Sequence, residues 1–196
     1  MRIGIFGGTF SPVHKGHVEA AKAFIEQMWL DVLFVIPTGV SPHKQMSDGA
    51  SDYDRLMMCS LAFEGVEGVI VSDLEIRRKG KSYTIDTIRE IYNPDNRLFL
   101  LCGTDMMLTL DTWREAEEIF KLAYPVYMRR EDDEAIKELI IKKNTEYKQK
   151  YGKIVTRIVA DPIEISSSEI RDNAELKSRY LADSVVEYID RVGLYK

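Results

Sequence analysis

The chain has 196 residues, of which 45% are hydrophobic and 30% charged, which suits one domain over 1–196 with a substantial buried core. Its formal net charge of −5 offers no general attraction to nucleic acid or acidic membranes, and no apolar run approaches a membrane span. Cys59 and Cys102 stand apart with no Cys-x-x-Cys, and the first strand is expected to begin at the second residue, where a leader would lie, so a soluble cytoplasmic protein with two reduced structural thiols is expected.

Arg2 to Phe6 is a short β-rich run ended by Gly7-Gly8, whose missing side chains allow positive φ and let a ligand approach the backbone. From about Gly16 to Trp29, Val18, Ala21, Phe24, Ile25 and Met28 recur at helical spacing, placing His17 in or near the first helical turn. Free N–H groups at such a terminus favour anions, and His14 and His17, three residues apart, can add two directional donors for charge developing on phosphorus. Gly16 is expected to keep the space between the rings open. A His-x-x-His pair also suits a surface position or a metal, but no third His or Cys with ligand spacing is nearby. The dinucleotide fingerprint fails, because Gly4-x-x-Gly7-Gly8 replaces G-x-G-x-x-G and the next strand ends in Ile36-Pro37-Thr38 with no ribose-binding acid.

Asp31 to Pro37 reads as a buried strand, which with the first strand and helix makes a β-α-β unit and a parallel pair. The polar stretch Thr38 to Ser51 leaves the carboxyl edge of that strand carrying His43 and Lys44, either a surface loop or a phosphate contact. Asp52 to Phe63 has helical character with Asp52 as cap, Val66 to Leu74 reads as a strand, and Glu75 to Ser82 as a charged, solvated turn. A helix follows from about Tyr83 to Tyr92, capped by Ser82 or Thr84. Arg97 to Cys102 is another buried strand, and Gly103-Thr104-Asp105 sits at its carboxyl end, where Asp105 can bond ribose hydroxyls or cap the next helix. Trp113 precedes a helix from Arg114 to Leu122 and can pack or stack on an aromatic ring.

Tyr124 to Met128 is a short strand leading to Arg129-Arg130, Glu131 to Tyr151 a charged outer helix, and Ile154 to Ala160 the last strand. This alternation predicts an α/β protein with a doubly wound, mainly parallel sheet. Ile165-Ser166-Ser167-Ser168-Glu169-Ile170-Arg171 combines hydroxyls with a Ser-x-x-Glu capping box, so a helix is expected to begin at Ser166 or Ser167. Read alone it is an ordinary capped helix; beside the histidine motif its hydroxyls, amides and Arg171 suit a β- or γ-phosphate.

The run GGTFSPVHKGH resembles the signature G-G-T-F-D-P-x-H-x-G-H of the nucleotidylyltransferase superfamily, with Ser11 where that pattern has Asp. Ile-Ser-Ser-Ser-Glu-Ile-Arg is similar to its Ile-Ser-Ser-Thr-x-Ile-Arg motif, Ser168 keeping the hydroxyl. Ser41-Pro42-His43-Lys44, Ser82-Tyr83-Thr84-Ile85-Asp86-Thr87, Gly103-x-Asp105 with Trp113, and the closing Gly193-Leu194-Tyr195 extend the likeness to the bacterial nicotinate-nucleotide adenylyltransferase family, from Arg2 to Lys196.

The resemblance implies a Rossmann-like fold and transfer of the adenylyl group of ATP to nicotinate mononucleotide, releasing pyrophosphate, a step of NAD biosynthesis. It implies ATP binding by Gly7, Gly8, Thr9, Phe10, His14, His17, Gly103, Asp105, Ser167, Ser168 and Arg171, with His14, His17 and Arg171 as the catalytic set. Nicotinate mononucleotide is expected at Thr9, His43, Lys44, Tyr83, Thr84, Trp113 and Arg114, with Trp113 stacked on the ring and one of Arg129 and Arg130 near the site. Mg²⁺ is expected to be held mainly by ATP phosphates and water, with no protein metal site. The partners are small molecules, and a homo-oligomer stays open. Nicotinamide mononucleotide, phosphopantetheine or a sugar or polyol phosphate remain alternative acceptors; a non-catalytic nucleotide sensor has only Ser11 in its favour.

Overall fold

Residues 1–40, 49–128, 134–160, 163 and 165–196 are described by a computed structural model of the chain. Leu98 and Leu100 of strand β4 (Arg97–Gly103) pack into one core cluster, whereas Phe99 and Leu101 pack into another. Period-2 alternation therefore serves two buried faces, as a parallel sheet covered on both sides requires. Strand β1 (Arg2–Gly8) pairs in parallel with β4 on one side and with β2 (Val32–Pro37) on the other. Beyond them lie β3 (Val69–Val71), β5 (Ala123–Met128) and β6 (Thr156–Ile158), and the described strands form one parallel sheet in the order β3-β2-β1-β4-β5-β6. The order runs outward in opposite directions from β1 and β4, so their carboxyl ends flank the crevice where such sheets place ligands.

On one face, helices α1 (Lys15–Met28) and α2 (Asp52–Ala62) join the cluster containing Phe24, Leu33, Val35, Met58 and Leu101. On the other, α4 (Thr84–Ile91) and α6 (Ala116–Leu122) supply Ile85, Ile88 and Ile119 against Ile3, Ile5 and Leu98. Helices α5 (Thr104–Thr109) and α7 (Glu134–Tyr151), with a 3-10 turn at Leu110–Thr112 between α5 and α6, build a third cluster around Met107, Phe120 and Tyr147. Helices α8 (Ser167–Arg171), α9 (Ala174–Tyr180) and α10 (Asp183–Val192) close the chain. Tyr188 of α10 donates its hydroxyl to Asp54 Oδ1 at 2.7 Å, fastening the last helix to α2. Burial opposes the charge on Asp54, but hydrogen bonds from Ser51 and Tyr188 outweigh it and hold the carboxyl below its usual range. Both thiols are buried, and loss of solvation pushes Cys102 up to about 12 and Cys59 higher, as unreactive structural cysteines.

Several local expectations are corrected. The strand expected over Val66–Leu74 is only Val69–Val71, because Gly68 takes a φ of 78° before it and a helix, α3 (Leu74–Arg78), begins where a charged turn was expected. Arg78 is not merely solvated there: it donates to Thr87 Oγ1 at 2.9 Å, and that hydroxyl donates to buried Glu75 at 2.7 Å. Ser51, not Asp52, caps α2, its hydroxyl accepting from the Asp54 N–H at 3.1 Å. Tyr83 occupies the N-cap position of α4 without a side-chain bond, and neither Ser82 nor Thr84 does so; Ser82 Oγ instead accepts from the Gly39 N–H at 3.1 Å. Gly103, rather than Asp105, precedes α5, and α9 had no expectation at all.

Candidate functional site

The first-strand motif folds as a strand, a turn and a helix entry at the sheet's carboxyl edge. Neither Gly7 nor Gly8 has positive φ; the left-handed residue is Phe10, at 50°. What Gly8 supplies is room, since a Cβ there would lie 2.9 Å from the Phe10 ring. The buried Phe10 ring meets Phe6 edge-on at 5.3 Å and His17 at 5.0 Å between centroids, fixing the floor beneath the second histidine. Gly7 and Gly103 each face open space where a Cβ would stand, leaving the strand ends unobstructed.

His14 is buried and takes the N-cap position of α1, with His17 one turn on. Their ring centroids are 3.7 Å apart at 37°, so the expected open space between the rings does not exist. Gly16 has another purpose: its Cβ would lie 3.0 Å from His14 Nδ1, so glycine lets the imidazole lie against the helix entry. The His14 N–H donates to His17 Nδ1 at 3.2 Å. With Nδ1 accepting, a neutral His17 carries its proton on Nε2, and the ring is set to donate from that atom.

The second motif is joined to this turn. Ser166 caps α8 in the expected box, its hydroxyl accepting from Glu169 N–H at 3.2 Å while Glu169 accepts from Ser166 N–H at 2.8 Å. Arg171 donates to the Ser11 carbonyl at 2.6 Å and to Ser168 Oγ at 3.1 Å, and Ser167 donates to the Pro12 carbonyl at 2.9 Å. Ser11, buried at 1% exposure, shares a 2.8 Å hydrogen bond with the Tyr195 hydroxyl. The residue that departs from the superfamily pattern thus ties the turn to the chain's end, whose side chain gave no chemical signal in the sequence.

Two residues beyond the Phe6–Leu101 pair, Gly8 and Gly103 end the neighbouring strands, and Asp105 is exposed in the first turn of α5. The remaining site residues gather on the other face of the sheet. Tyr83 and Trp113 are half-buried against the cluster of Ile85, Ile88 and Ile119, Thr84 opens α4, and the Arg114 guanidinium lies 4.5 Å from the Tyr83 ring centroid. Because crossover helices run antiparallel to the strands, the start of α4 and the approach to α6 share the carboxyl edge with the histidine turn. His43, Lys44, Arg129 and Arg130 lie outside the described residues. Val40 pairs with Lys81, so the chain leaves β2 beside the residues entering α4.

Arg55 was missed as a site residue. It is fully buried in α2 and donates to the Thr9 carbonyl at 2.9 Å. A basic residue inside an amphipathic helix was its only trace, and nothing in the spacing named its partner. Among the described residues no three His, Cys, Asp or Glu side chains converge as a metal site, and no helix is long and apolar enough to cross a membrane.

Residues 5–173 match the Cytidylyltransferase-like family model. A Desulfatibacillum aliphaticivorans protein named "Probable nicotinate-nucleotide adenylyltransferase" is 37% identical, covering 100% of both chains. One of the same name from Thermoanaerobacter sp. (strain X514) is 34% identical over 100% of this chain and 95% of its own. Plasmodium falciparum nicotinic acid mononucleotide adenylyltransferase complexed with NaAD superposes with a TM-score of 0.75 at 20% identity, covering 99% of this chain and 97% of that one, a likeness of fold. With whole-length identity of this order to relatives that bear the name, the chain belongs to the nicotinate-nucleotide adenylyltransferase family.

Proposed function

We propose that the chain joins the 5′-phosphate of nicotinate mononucleotide to the α-phosphorus of ATP through the site just described, acting as one domain. A phosphate oxygen of the mononucleotide forms the new bond to the α-phosphorus. The bond from that phosphorus to the bridging α–β oxygen breaks, and pyrophosphate carries the electron pair away. The attacking oxygen is already anionic, so the reaction needs alignment and charge stabilisation rather than a general base.

The observation that carries this reading is the junction between the two motifs, in which Arg171 and Ser167 bond the carbonyls of Ser11 and Pro12. Those bonds occupy carbonyl oxygens that would repel an anion and bring a helix with hydroxyls and a guanidinium beside the histidine turn. His14 and the Nε2–H of His17 stabilise charge on the α-phosphoryl oxygens, with Gly7, Gly8, Thr9 and Phe10 offering backbone contacts. The Ser168 hydroxyl, the remaining N–H groups of Arg171 and the backbone N–H of Ser167, whose hydroxyl proton goes to the Pro12 carbonyl, hold the outer phosphates, and Gly103 and Asp105 receive the adenosine end. Tyr83, Thr84, Trp113 and Arg114 receive the nicotinate ring and its carboxylate. Hydroxyl, imidazole and guanidinium groups offer a hard cation few ligands, so Mg²⁺ would enter carried on ATP, where it would neutralise phosphate charge.

The test is pyrophosphate release from ATP and Mg²⁺ with nicotinate mononucleotide and, separately, nicotinamide mononucleotide at matched concentrations. A strong preference for the acid is expected. Comparable rates would remove the carboxylate pocket at Thr84 and Trp113, and no release with either would remove the proposed reaction.

A further inference from the structure

Burying a guanidinium is costly unless its partners need it where it is, and Arg55 is 0% exposed. One arm donates to Asp52 Oδ1 at 2.6 Å and the other to the Thr9 carbonyl at 2.9 Å, while Nε has no hydrogen-bond partner. Asp52 keeps 46% of its side chain exposed. A charge pair alone could therefore sit at the surface; reaching Thr9 is what requires the arginine to be inside. Resting on the adenylyl transfer proposed above, we infer that Arg55 is a positioning residue for that reaction: by holding the Thr9 carbonyl it sets the direction of the Phe10 N–H.

The peptide plane makes this link. In a trans peptide the N–H points opposite to the preceding carbonyl, so a Thr9 oxygen drawn toward α2 turns the Phe10 N–H away from α2. Phe10 has a φ of 50°, a conformation an aromatic residue holds only when its surroundings determine it. The same residue places its ring 5.0 Å from that of His17. Arg55 therefore governs a backbone donor and the support of a catalytic imidazole without touching the nucleotide. Arg171 and Ser167 fix the later carbonyls of the turn independently of Arg55, so the triphosphate retains most of its holding groups when Arg55 is changed. Alignment suffers more than binding.

The experiment compares Arg55→Met, Arg55→Lys and Asp52→Asn with the wild type in steady-state pyrophosphate release, with thermal melting as a check of fold. Wild-type release tests adenylyl transfer on its own. Arg55→Met removes the turn contact, and Arg55→Lys keeps a charge but lacks the two-armed fork. In whichever folds, kcat is expected to fall at least about tenfold, toward the roughly 10²-fold that a 1 Å misplacement can cost, while KM for ATP changes less than about threefold. Asp52→Asn leaves the Thr9 contact and should keep kcat within about twofold. The inference is overturned if a folded Arg55 variant keeps wild-type kcat, if its loss lies in KM, or if Asp52→Asn loses turnover as severely.

Discussion

Gly16→Ala separates helix stability from catalysis. Gly16 is the second residue of α1, where alanine gains up to about 1 kcal/mol in helix propensity over glycine. The new methyl carbon would stand 3.0 Å from His14 Nδ1, 3.1 Å from its Cε1 and 3.4 Å from Ile163 Cβ. The His14 ring must therefore yield by a few tenths of an ångström, and it has little room, being 3% exposed with the tilted His17 ring at 3.7 Å between centroids. Overpacking of this kind costs about 1–3 kcal/mol if nothing moves, so the net change should lie between about zero and about 3 kcal/mol destabilising. The displaced imidazole no longer meets the phosphoryl oxygen squarely, and turnover should fall by about 10- to 100-fold. Thermal melting and pyrophosphate release on the same preparation give both numbers. A variant that melts near the wild type and turns over within about twofold of it would refute the reasoning, because the ring could then move without consequence.

His17→Ala should lose about 10²–10³ in kcat while melting near the wild type, as expected for one charge-stabilising donor; pyrophosphate release checks it, and near-normal turnover would remove the role. Tyr195→Phe leaves the buried Ser11 hydroxyl without its 2.8 Å partner, which should cost about 1–2 kcal/mol, or about 2–8 °C in melting temperature. Adding Ser11→Ala should recover part of that loss if the contact is real, and strict additivity would argue against it. Asp111 is held below its usual carboxyl range: burial pushes it up, but the hydrogen bond and charge of Lys143 and the bond from Tyr147 outweigh that. A depressed carboxyl contributes stability above its unfolded value of 3.8 and loses it as pH falls through the folded value. The melting deficit of Asp111→Asn should thus be full at about pH 7 and shrink toward about pH 3, and a deficit independent of pH would contradict the pairing.

The strands of the sheet's centre and the helix at Ser167 were legible because each is decided locally: apolar runs for buried parallel strands, and a Ser-x-x-Glu box for a helix start. Where neighbours in space decide, local reading failed. The glycines at 7 and 8 allowed positive φ, but the left-handed residue is Phe10, packed by its ring and following a Thr9 carbonyl bonded by Arg55, 46 positions beyond Thr9. Ser82 had every local reason to cap α4, yet its hydroxyl is taken by Gly39, 43 positions back. The histidine pair was visible as a spacing, but the close approach of the His14 ring to Gly16 was not.

The two phosphate motifs show the same limit most clearly. Each alone is a helix entry of a common kind, and α8, with five residues, is too short to stand as an isolated helix in water. Its geometry comes from Ser167 and Arg171 grasping the carbonyls of Pro12 and Ser11, and the histidine turn in return owes part of its shape to those bonds. Tyr195 extends the dependence to the chain's end through Ser11, and Arg55 to α2 through Thr9. The turn from Thr9 to Pro12 is thus held by α2, α8 and the terminal tyrosine, and under the proposed reaction Arg55 and Tyr195 would influence alignment from residues that touch no substrate. Such residues escape a reading based on motifs, since their chemistry is expressed in the carbonyl they hold and not in the pattern they spell.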